Sequence, residues 1–132
     1  MLGYRKLMET YRKTDGHCAY CGIGLPVEAF TVEHMVPTAR GGSDDLNNLV
    51  PACTRCNTSK RALTVDEFRH HIFGAIARDL ERNALARLDH YRGTLTDAEA
   101  VDLELKLRTV IETVDGLAPV FHFEQPVLPG AS

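Results

Sequence analysis

The chain has 132 residues and a mass of 14.6 kDa, with 44% apolar and 25% charged residues. That is the size and balance of one ordinary folded domain, and it excludes wholesale disorder. No apolar run approaches the ~20 residues of a membrane helix, and a net charge of −3 argues against coating nucleic acid by bulk charge. The opening MLGYRKLMETYRK carries charge every few positions, unlike a secretory signal, so a soluble, cytoplasmic protein without membrane contact is expected.

Residues 2–13 predict a short amphipathic helix, with Leu2, Leu7, Met8 and Tyr11 toward one side and Asp15-Gly16 as its stop. Cys18-Ala-Tyr-Cys21 follows, then a turn-rich passage through Gly22, Gly24 and Pro26. Phe30 to His34 is β-branched and aromatic and suits a strand, and Pro37 to Asn48 reads as a loop centred on Gly41-Gly42. Leu49-Val50 is a brief second strand, and Cys53 to about Arg61 suits a short helix.

Thr64 and Glu67 match a capping box for a long helix reaching Tyr91, along which Phe68, Ile72, Ile76, Leu80 and Leu88 recur at steps of mostly four. Thr96 and Glu99 match a second box, opening a segment that ends at Asp115-Gly116. Val101, Leu103, Leu105 and Leu107 alternate with charges as in a strand, but the cap, the length and the closing glycine favour helix. Val120 to Phe123 is either an edge strand or a docking segment. Two regions are expected: a core over 1–63 and a helical extension over 64–132, packed on the core or mediating dimer or partner contacts.

All four cysteines lie in two C-x-x-C pairs, Cys18/Cys21 and Cys53/Cys56. In a reducing compartment this is the layout of a zinc site rather than of disulfides. Two thiolates three positions apart grip one face of a tetrahedral ion and the second pair closes the other, so the site is structural, with no open position. A rubredoxin-like iron centre uses similar pairs, but leaves the residues between them unexplained.

Those residues read CAYCG at 18–22, VEHMVP at 32–37, RGG at 40–42, NNLV at 47–50 and CTRCNTSK at 53–60. In this order and spacing they resemble the HNH endonucleases, whose active site is a ββα-metal fold, also called the His-Me finger. The resemblance covers roughly residues 15–62. It implies an α+β fold: a small ββα-metal core with two zinc knuckles, a short N-terminal helix and a mainly α-helical C-terminal extension.

The activity implied is metal-dependent hydrolysis of DNA phosphodiester bonds. Imidazole titrates near neutrality and can take a proton from water, so the resemblance makes His34 the general base. It makes Glu33 and Asn57 ligands of a catalytic Mg²⁺ or Mn²⁺, and Asn48 the residue that positions the loop. Asn57 replaces the last histidine of the family name, which implies a harder, oxygen-ligated ion. Many relatives carry Asp where this chain has Glu33.

Arg40, Arg55, Lys60 and Arg61 are candidate phosphate contacts. Residues 1–63 hold eight Lys/Arg against six Asp/Glu, a surplus that a zinc-loaded thiolate cluster would cancel, so DNA binding is expected to be weak and salt-sensitive. A zinc-dependent nucleic-acid or protein binding module with a dead nuclease site is the competing reading. Phage packaging, defence and mobile elements are equally compatible settings.

Overall fold

A computed structural model describes residues 2–126. Helix α1 spans Tyr4–Arg12. It ends where Asp15 and Gly16 turn left-handed, at φ 51° and 75°, and the Gly16 amide closes on the Tyr11 carbonyl. A side chain at Gly16 would begin 2.6 Å from the Tyr11 hydroxyl, so glycine is required there.

Strands β1 (Thr31–His34) and β2 (Leu49–Ala52) form an antiparallel pair, with Glu33 opposite Val50 and His34 opposite Leu49. Strand β2 runs two residues beyond the predicted Leu49-Val50, through Pro51. In a two-stranded ribbon a proline nitrogen can face outward without breaking a ladder bond, and the Pro51 carbonyl accepts from the Ala19 amide at 2.9 Å. Helix α2 (Thr54–Lys60) follows at once, capped by the Cys53 sulfur, which accepts from the Cys56 amide. The expected ββα unit is thus present, within an α+β architecture.

The chain divides into two units. One runs to Phe68 and resumes at Val120; the other is Arg69–Pro119. The core of the first comprises Cys18, Ala19, Leu25, Leu49, Val50 and Ala52, closed by an aromatic cluster. Tyr20 meets Phe68 and Phe121 edge-on, with centroids 5.2 and 5.0 Å apart, and Phe68 stacks on Phe121 at 5.3 Å. Of the two alternatives for the tail, docking is the one seen. The His122 and Phe123 amides donate to the Tyr20 and Ala19 carbonyls, and His122–Glu124 forms one 3₁₀ turn rather than a strand.

Helix α3 (Val65–Tyr91) begins at the Thr64/Glu67 box, whose reciprocal bonds measure 3.2 and 2.9 Å. Helix α4 (Asp97–Asp115) begins at the Thr96/Glu99 box with the same geometry. The cap therefore prevails over the alternating pattern at 101–107. No helix among the described residues is long and apolar enough to cross a membrane.

Candidate active site and metal centre

The four cysteine sulfurs lie within 4.8 Å of one another. With Zn–S bonds of about 2.3 Å, a tetrahedron has edges of about 3.8 Å, and Cys21 Sγ to Cys53 Sγ is 3.8 Å. The donors therefore suit zinc in number, type and spacing. The backbone shapes both halves: Gly22, at φ 82°, folds the first knuckle so that its amide reaches the Cys18 carbonyl, while the second opens helix α2. Cys18 is buried, and its hydrogen bond with Cys56 draws its thiol down to about 4 and pushes that of Cys56 up. A low-pKa sulfur in such a cluster is a ready zinc ligand.

Across the ribbon, His34 ends β1 half-exposed, with Nε2 2.7 Å from Asp44 Oδ1. The bond from His34 holds the Asp44 carboxyl below its ordinary range, so Asp44 is an acceptor. A carboxylate can only accept, which places the ring proton on Nε2 and leaves the Nδ1 lone pair free to take one.

The loop that carries Asp44 is fixed from three sides. Asn48 Oδ1 accepts from the Val36 amide at 2.9 Å, and its Nδ2 donates to the Val36 and Ser43 carbonyls at 3.0 and 2.8 Å. Gly42 lies so near Val36 that a Cβ there would fall 1.7 Å from its carbonyl oxygen, hence the glycine. Beneath the loop, Lys6 donates to the Asp44 carbonyl, and Lys13 to those of Leu46 and Leu49. Sequence reasoning missed these lysines, although their spacing of seven places Lys6 and the C-cap residue Lys13 two turns apart on one side of α1.

Glu33 lies elsewhere than expected. Neighbouring residues of a strand face opposite sides, and while His34 points out, Glu33 is turned inward with 4% of its surface exposed. One carboxylate oxygen accepts from Lys60 Nζ at 2.7 Å and the other from the Tyr20 hydroxyl. Burial pushes the Glu33 carboxyl up, and the Lys60 and Tyr20 hydrogen bonds pull it back. Lys60, expected on a phosphate, is fully buried. Its three ammonium protons go to Glu33, to the His34 carbonyl at 3.0 Å and to the Leu63 carbonyl at 2.6 Å. No donor remains for DNA.

Asn57 is half-buried on α2, and its backbone links Cys53 to Arg61. Arg55 and Arg61 are exposed, as the expectation required; Arg40 is exposed but pairs with Glu67. The structure thus brings together His34, Asp44 and Asn48, and separately Glu33, Lys60 and Tyr20. Among the described residues, the four cysteines are the one cluster of three or more His, Cys, Asp or Glu side chains fit to hold a metal.

The buried pair has a measurable consequence. Glu33→Gln should lower unfolding free energy by about 3–5 kcal/mol, since it strands a buried ammonium. Glu33→Gln combined with Lys60→Met should recover most of that loss, as read from denaturant midpoints of the zinc-loaded protein. A Glu33 serving only an exposed ion would leave the midpoint where it was.

Residues 18–73 match the model of a family described as HNH endonuclease. The CRISPR-associated endonuclease Cas9 of Corynebacterium diphtheriae is 36% identical over 53 residues, covering 39% of this chain and 5% of that protein. The Cas9 of Actinomyces naeslundii is 43% identical over 44 residues, covering 33% of this chain and 4% of that one. The likeness is to one small segment of much longer proteins.

Proposed function

We propose, from the match of residues 18–73 to the HNH endonuclease family, that the chain hydrolyses phosphodiester bonds of DNA with His34 as general base. The observation that carries this reading is the His34–Asp44 contact of 2.7 Å inside a loop clamped by Asn48. Asp44 holds the Nε2 proton, so Nδ1 accepts the proton of the attacking water, and the charge that develops on the ring is balanced by the carboxylate. Asn48 touches no reacting atom in this scheme. It keeps residues 36–43 and the base in register.

In nucleases of this kind a divalent ion, here Mg²⁺ or Mn²⁺, supplies charge neutralisation at the phosphate and help for the leaving oxygen. The pair expected to hold it does not fit: Asn57 offers an amide oxygen, but both Glu33 oxygens are engaged by Lys60 and Tyr20. Glu33 thus offers no free oxygen to that ion. Zinc at the four cysteines has a structural role, and Arg55 and Arg61 remain as exposed phosphate contacts. The unit that holds the core expected at 1–63, joined by Phe68 and Phe121, carries the chemistry, and the helical unit Arg69–Pro119 serves partner contacts.

The test is cleavage of supercoiled plasmid with Mg²⁺, Mn²⁺ or EDTA. Nicking that depends on added metal is expected. A folded, zinc-loaded protein that never cuts would favour the binding-module reading instead.

A further inference from the structure

Helices α3 and α4 bury little between them. Among the described residues of Arg69–Pro119, the buried hydrophobics are Ala77, Leu88 and Ala100, although the two helices are 27 and 19 residues long. Helices in water owe most of their stability to a packed apolar face, and here much of that face is uncovered. Between them runs an open groove of about 640 Å³, floored by Leu88, Leu95, Leu103 and Leu107. Its α3 wall carries Ile76, Leu80 and Tyr91, of which Ile76 is 44% and Tyr91 58% exposed.

The polar residues of that wall are Asp79, Asn83 and Arg87, one every four positions. None has a hydrogen-bond or ion-pair partner among the described residues. Their order is self-complementary: negative, neutral, positive, centred on Asn83. A second α3 laid antiparallel and turned about Asn83 sets each Asp79 against the Arg87 of the other copy, about 6 Å along the helix on either side of the axis. Twofold contacts require this of a patch, that residue i meets j while j meets i. The same rotation places Ile76 near the far end of the partner's stripe, over Tyr91, and Asn83 against itself, a position at which a polar residue fixes register.

We infer that the α3/α4 groove is the interface of a twofold homodimer, in which the stripe from Ile76 to Tyr91 packs antiparallel against its own copy and paired Asp79–Arg87 contacts set the register. This goes beyond the nuclease reading and does not depend on it.

The test uses the full zinc-loaded chain in sedimentation velocity over a range of concentrations. A mass of twice 14.6 kDa is expected, with Leu80→Glu giving monomers and Arg87→Asp weakening association by about tenfold or more. Asp79→Arg combined with Arg87→Asp restores opposite charges across the axis and should restore the dimer. Circular dichroism checks that each variant keeps its helices, and the double reversal guards against simple misfolding of a single one. A wild-type monomer at every concentration would overturn the inference and leave the groove to a different occupant. A dimer indifferent to Leu80→Glu, or a double reversal that stays monomeric, would overturn it equally.

Discussion

Replacing His34 with alanine is expected to lower plasmid nicking by roughly 10²–10⁴-fold, the range in which a positioned general base contributes, without loss of fold. His34 is at the end of β1, half-exposed, and its backbone partners survive truncation: Leu49 stays opposite it and Lys60 still donates to its carbonyl. Zinc content and the thermal midpoint should therefore match the parent protein. Retained cutting in such a preparation would remove the assigned base. Asp44→Asn is a gentler probe. It keeps the loop and an acceptor but loses the charge, so turnover should fall by less than in His34→Ala while KM is unchanged.

The second large effect concerns the cysteines. Removing zinc with a chelator, or replacing Cys53 with serine, is expected to unfold the core unit. Zinc binding in small modules is worth about 10–16 kcal/mol, against a total of about 5–15 kcal/mol for a typical domain. The Cys53 sulfur also caps α2, a role that the serine hydroxyl can keep, so this substitution tests the metal ligand rather than the cap. The chain has no tryptophan, so the natural reporter is Tyr20, packed edge-on against Phe68 and Phe121. Its near-ultraviolet dichroism should vanish on chelation and return with one equivalent of zinc. A signal that outlasts complete zinc removal would show that the aromatic cluster holds the unit unaided.

Local rules made most of the fold legible. Both capping boxes form as the Thr-x-x-Glu spacing requires, and Asp15-Gly16 ends α1 as such pairs do. The cysteine spacing foretold the cluster, because C-x-x-C is a short-range geometric constraint. What escaped was long-range. Glu33 and His34 were read as one site because they are adjacent, yet adjacency on a strand means opposite faces. The alternation that sends Val50 and Glu33 inward was present in the sequence and outweighed by motif. Lys60 escaped for a related reason: a lysine on a short helix looks solvated until the buried carboxylate 27 positions earlier is placed beside it. Asp44 lies in the loop expected from Pro37 to Asn48, and nothing local says that its carboxylate reaches the imidazole ten residues back.

Tyr20 lies between the two cysteines of the first knuckle, and this gives the metal centre a route to the base. From the knuckle the contacts pass from the Tyr20 hydroxyl to Glu33, from Glu33 to Lys60, and from Lys60 to the carbonyl of His34. Every link is a hydrogen bond within the core, so the first knuckle and the strand end that bears His34 are held by one buried polar network. On the proposed nuclease reading, loss of zinc would loosen the anchor of the strand end that bears His34, so metal content should be measured beside any cutting activity.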